Sequence, residues 1–127
     1  MTLIHLWRSF RKSFSHALAG LSYALREERN FQIEVVVGIM AVMLTFFFPL
    51  SSIERSVMLL LIGTVLTLEL FNTAFERLLD MLKPRIHPYV KVVKDIVAGA
   101  VLIGSVMAFL IGLIILLPHI WTLVTLV

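Results

Sequence analysis

The stretch Glu69 to Asp80, ELFNTAFERLLD, decides the fold. It closes an apolar run that opens at Val57 as VMLLLIGTVLTL. Wound as an α-helix, Glu69, Asn72, Thr73, Glu76 and Asp80 follow i, i+3, i+4, i+7, i+11 spacing. At about 100° per residue they fall in one stripe. Leu70, Phe71, Phe75, Leu78 and Leu79 fill the remaining circumference. An apolar helix therefore carries a line of carboxylates and an amide. A carboxylate near the bilayer centre costs about 3 kcal/mol or more, so such groups face a partner or a water-filled site. The stripe calls for something cationic opposite it, a metal ion or basic side chains. The plainer alternative is a hydrogen-bonded seam that only holds helices together. Intramembrane ionisable residues favour the functional reading.

Composition sets the class. The chain has 127 residues and is 60% hydrophobic, with mean hydropathy +1.01. That is too apolar for a soluble domain of this size and predicts an all-α membrane protein forming one domain over residues 1–127. It has no cysteine, so a disulfide framework and a thiolate metal site are both excluded. The net charge of +3 marks membrane edges rather than nucleic-acid binding. No cleavable signal is expected, because the first 30 residues are charged and amphipathic without a continuous apolar core.

Residues 3–25 read as an amphipathic helix. Leu3, Trp7, Phe10, Phe14, Leu18, Leu21 and Leu25 share one face, while Arg8, Lys12, Ser15 and His16 lie on the other sides. Its basic, aromatic character next to a span predicts an interfacial helix in the headgroup region. The cluster REERNFQIE, Arg26 to Glu34, follows. Its charges either pair locally in a solvated link or bring a carboxylate to the Glu76 stripe. A first span is predicted over 33–50, ended by Pro49 and Ser51–Ser52, with a link carrying Glu54 and Arg55.

The second span is predicted over 57–82. Glu69 lies about 18 Å along it from Val57, Glu76 about 28 Å and Asp80 about 34 Å, so the stripe climbs from lipid depth to water. This suits a site joining a lipid headgroup to a water-soluble reactant. The link KPRIHPYVKVVK, Lys83 to Lys94, is basic, and Pro88 suits a helix first turn. Lys91, Lys94 and Asp95 then share a face; the lysines either anchor the helix or hold phosphate. The third span, with its extension, is predicted over 88–117. Its small residues Ala98, Gly99, Ala100, Gly104, Ser105 and Gly112 allow close helix approach, and Pro118 is expected to end it.

Five of the eleven Lys and Arg precede the first span and five lie between Arg77 and Lys94; Arg55 alone is elsewhere. The positive-inside rule then puts the N-terminus and the stripe's polar end in the cytoplasm and the C-terminus outside. Carboxylates with a basic pair there suit phosphoryl transfer. Mg²⁺ takes carboxylate and phosphate oxygens, lysine neutralises phosphate, and a carboxylate accepts the attacking hydroxyl's proton. Neither G-x-x-x-x-G-K-[ST] nor G-x-G-x-x-G occurs, so a nucleotide site here is unlike a P-loop or a protein kinase.

ELFNTAFERLLD followed by HPYVKVVKDIVAGAVL resembles the prokaryotic diacylglycerol kinase family, with its E-x-x-N-[ST]-A-x-E-x-x-x-D signature and KD-x-x-[AS]-[AG]-A-V block. The resemblance covers nearly the whole chain. EERNF and the second block look closer to the undecaprenol kinase branch. The resemblance implies a lipid kinase of the bacterial cytoplasmic membrane, using ATP and Mg²⁺, homotrimeric, with sites shared between subunits. It phosphorylates either diacylglycerol or undecaprenol. By motif match Glu69 takes the general-base position, and Glu28 and Glu76 take the metal positions. Glu28, Glu76, Lys94 and Asp95 take nucleotide-binding positions. Glu69, Glu34 and Ala98 take substrate-binding positions. Asn72 and Asp80 take supporting positions, while His16, Arg85 and His87 match only loosely. From another class, a small oligomeric channel lined by Glu69, Asn72 and Glu76 is the rival; but Val57 to Leu68 offers only Gly63, Thr64 and Thr67, so the stripe stops halfway. A non-catalytic assembly subunit is a third reading, and it would give Lys94 and Asp95 no required chemistry.

Overall fold

The computed structural model describes residues 3–81 and 88–125, and these are helical almost throughout. The order is α1 (Leu3–Glu27), α2 (Arg29–Phe47), α3 (Ser52–Met81) and α4 (Pro88–Thr125). Helices α2, α3 and α4 are each long and apolar enough to cross a membrane. Three apolar helices are thus present as expected, but α2 and α3 begin earlier than the predicted spans and α4 ends later. The basic link with Lys83, Arg85 and His87, and the expected end of the second span at Leu82, lie outside the described residues.

The α1–α2 junction is a single residue. Glu28 leaves helical geometry, with φ −111° and ψ 106°. Its N–H donates to the Ala24 carbonyl at 3.0 Å, and its own carbonyl accepts from Gln32 N–H at 3.1 Å. Gln32 Nε2 also donates to the Leu25 carbonyl at 3.0 Å, satisfying a C-terminal carbonyl of α1 that has no helical donor. Buried Ala24 and Phe31 flank the bend. Helix α1 keeps its aromatic face outward, with Trp7, Phe10 and Phe14 in successive ring contacts at 6.2 and 6.3 Å.

Pro49 cannot continue α2, which closes with Phe48 N–H donating to Leu44 at 3.1 Å. Helix α3 then begins at Ser52, so Glu54 and Arg55 belong to its first turn rather than to a link. The reason is a reciprocal cap. Ser51 N–H donates to Glu54 Oε2 at 2.8 Å, and Glu54 N–H donates to Ser51 Oγ at 3.2 Å.

Helix α3 is central, packed on α2 along one side and on α4 along the other. Glycines set how closely they meet. A Cβ on Gly38 of α2 would lie 3.3 Å from Ile62 Cγ2, and one on Gly104 of α4 would lie 2.5 Å from Leu68 Cδ1. Phe48, Leu50, Met58 and Leu116 form the buried core at the end remote from Glu69. Met58 is eleven residues before Glu69, about 16 Å along the axis. Leu116 is the one buried residue of α4 among those described. Large side chains such as Phe109 and Ile114 face outward, as a lipid-facing helix requires.

Pro118 does not end the last helix. Helix α4 runs through it to Thr125, 38 residues and about 57 Å. Proline denies the Ile114 carbonyl its usual donor, yet neighbouring groups hold the next turns. His119 Nδ1 lies 3.0 Å from the Ile115 carbonyl, and Thr122 Oγ1 donates to the Pro118 carbonyl at 2.6 Å. Local bonds of this kind let a helix pass through a proline that would otherwise stop it.

Candidate active site

The stripe on α3 is buried where it enters the bundle. Glu69, Asn72 and Thr73 are 4%, 6% and 7% exposed, Glu76 is half-buried, and Asp80 is open. Burial of a carboxylate is costly unless neighbours compensate, and the like charges nearby add to that cost, so that Asn72 alone among the named neighbours offsets it. The Asn72 side-chain amide interacts with the Glu69 carboxylate one turn away. Glu69 is in electrostatic reach of Glu76 and Glu28, and Glu34 of α2 is in reach of Glu69. Glu69 thus has three other carboxylates within electrostatic reach, from α2, from the α1–α2 junction and from α3 itself.

Two ion pairs tie the polar ends together. Arg77 Nε donates to Glu28 Oε1 at 3.1 Å, and Arg77 Nη2 engages the same oxygen. The Tyr23 ring lies under the guanidinium, 5.6 Å from its centroid. Lys94 of α4 is paired with Asp80 of α3. The cluster at Arg26–Glu34 therefore reaches the polar end of α3 rather than pairing only locally. Glu28 meets Arg77 there, one residue beyond Glu76. Glu69 is thus the common neighbour of Glu28, Glu34, Asn72 and Glu76. Lys94 instead faces Asp80, and Asp95 and Ala98 are exposed on α4. Sequence reasoning counted Arg77 only as a marker of orientation and left Tyr23 unassigned. The available signal was angular: Arg77 is about 100° round the helix from Glu76, at the stripe's edge.

The donors present fit a hard divalent cation. Both guanidinium contacts fall on Glu28 Oε1 and leave Oε2 uncommitted among the described residues. Asn72 Oδ1 and Glu34 Oε2 are buried without a hydrogen-bond partner among the described residues. No group of three or more His, Cys, Asp or Glu among the described residues forms a metal cage. An ion such as Mg²⁺ needs none, since it takes one or two carboxylates and completes its shell with phosphate oxygens and water.

An apolar groove of about 480 Å³ runs between α2, α3 and α4. Met58 and Leu116 line it at the core end, Gly38, Ala41 and Ser105 lie along it, and Glu34 is at its other end. It joins the hydrocarbon-packed end of the bundle to Glu34.

Known proteins resemble the chain over most of its length. The prokaryotic diacylglycerol kinase family matches residues 15–116. Undecaprenol kinase of Bacillus subtilis is 42% identical over 109 residues, covering 86% of this chain and 89% of that one. Diacylglycerol kinase of Synechocystis sp. is 37% identical over 107 residues, covering 84% of this chain and 61% of its own length. Diacylglycerol kinase of Escherichia coli K12 is 27% identical over 108 residues, covering 85% and 88%. On the breadth of these matches, the chain belongs to the prokaryotic diacylglycerol kinase family.

Proposed function

We propose that the protein transfers the γ-phosphoryl group of ATP to the hydroxyl of a membrane lipid, with undecaprenol as the preferred acceptor. The observation that carries this reading is the apolar groove ending at Glu34, beside buried Glu69. An acyl or prenyl chain fits such a groove, and its hydroxyl then arrives among the carboxylates. The higher identity to undecaprenol kinase supports the polyprenol over diacylglycerol.

In the reaction the lipid hydroxyl oxygen bonds to the γ-phosphorus and the β–γ bridging bond breaks. ADP leaves, and the hydroxyl proton passes to Glu69. Burial keeps bulk water from competing as the acceptor of the phosphoryl group. Glu28 and Glu76 would hold Mg²⁺, and Asn72 Oδ1 would offer a further oxygen donor. That ion, when bound, offsets phosphate charge. Glu34 and Ala98 contact the lipid, and Lys94 and Asp95 contact the nucleotide. Lys94 leaves Asp80 to reach phosphate, and Asp80 orients it in the resting state. The chain works as a homotrimer in the bacterial cytoplasmic membrane. Helix α1 lies in the headgroup region, and the site faces the cytoplasm. The exposed apolar faces of α2, α3 and α4 support association, as do the small residues of α4.

The test is a radiolabelled-ATP assay run in parallel on undecaprenol and diacylglycerol with the purified full chain. Label should enter the lipid fraction, more with undecaprenol. Absence of labelled lipid with both acceptors would sink the kinase reading; greater labelling of diacylglycerol would overturn the lipid assignment alone.

A further inference from the structure

We infer that Arg77 is a positioning residue that seats Glu28 against α3 and thereby sets how tightly the site holds a divalent cation. This rests on the proposal that Glu28 and Glu76 share that cation. Glu28 stands at a bend where α1 gives way to α2, and it is the one residue there with non-helical geometry. Its carboxylate belongs to neither helix face, and a free Glu side chain loses rotamer entropy when fixed. Something must hold it, and Arg77 does.

The form of the contact matters. A guanidinium commonly engages both oxygens of a carboxylate in a paired fork. Here Nε and Nη2 converge on Oε1 alone. The second oxygen stays available on the same carboxylate, so one group can be anchored and ligating together. Arg77 is itself braced by the Tyr23 ring of α1. Three elements therefore meet at Arg77: α1 through Tyr23, the junction through Glu28, and α3 through the backbone that also carries Glu76. Ligating carboxylates fixed by hydrogen bonds of this kind keep their orientation, and loss of such a partner costs about 10–100-fold in metal affinity. Lysine at this position supplies charge without a planar fork, so it replaces arginine only in part.

The readout is binding, not turnover. The full-length protein in detergent is titrated with Mn²⁺, and the half-saturating metal concentration is read from binding of a fluorescent, non-hydrolysable ATP analogue. Arg77→Ala should raise that concentration about 10–100-fold, and Arg77→Lys should fall between it and the parent. In a Glu28→Gln background Arg77→Ala should add nothing, since its effect passes through Glu28. A merely structural role would instead lower stability in both backgrounds alike. An unchanged metal requirement in Arg77→Ala overturns the inference, and a lowered one makes Arg77 a competitor of the cation. If Arg77→Ala does not fold, a folded Arg77→Lys protein with the parent's metal requirement overturns it equally. Failure of the underlying reading looks different: Glu28→Gln and Glu76→Gln would themselves leave the metal requirement unmoved.

Discussion

Glu69→Gln keeps the shape and hydrogen bonding of the side chain but removes its capacity to take a proton. General-base catalysis contributes about 10²–10⁴-fold, so turnover should fall by that order while the ATP analogue still binds. A variant that folds and works within a few-fold of the parent would return Glu69 to a structural seam. At this scale the sequence was readable where geometry is local. The i, i+3, i+4, i+7 spacing alone places Glu69, Asn72, Thr73 and Glu76 on one face, and burial of the first three follows. Glu28 was reachable only through its motif, because a residue at a bend has no helical face to read. Arg77 went unassigned because its partner lies 49 residues away, and pairings between helices leave no period in a sequence.

Helix contacts turn on a few glycines. Gly104→Ala should be mild, since the Cβ meets only the tip of the Leu68 side chain, which can rotate away. Gly104→Val adds bulk that Leu68 cannot clear, and overpacking of this kind costs about 1–3 kcal/mol. Thermal unfolding in detergent should therefore rank parent, then alanine, then valine. Equal midpoints for valine and parent would show that α3 and α4 do not meet there. Element existence was legible because hydropathy and period agree over each span. Two boundaries were misjudged for opposite reasons. The S-x-x-E pattern at Ser51–Glu54 is a start signal, and reading Ser51 and Ser52 only as a stop hid it. Pro118 is a stop signal in water, but its strength depends on a solvent that the surrounding apolar run excludes.

Across the whole molecule, orientation rests on the distribution of ten basic residues to one. A reporter fused after Val127 should be active only on the outer side of the membrane, and activity in the cytoplasm would reverse the placement of the site. The contacts of the proposed trimer are not legible in the sequence, because any lipid-facing apolar surface is equally suited to another helix. The two ends of the bundle are also held by different forces. Near Met58 and Leu116 it is closed by hydrocarbon, and near Glu76 by the Arg77–Glu28 and Lys94–Asp80 pairs. Electrolyte therefore acts on half of the protein. At 1 M salt the Debye length shrinks to about 3 Å, which weakens exposed pairs and leaves dispersion contacts untouched. Amide hydrogens around Glu28 and Asp80 should then exchange faster with solvent deuterium, while those around Met58 keep their protection. The protein would loosen at its working end first and remain anchored at the other.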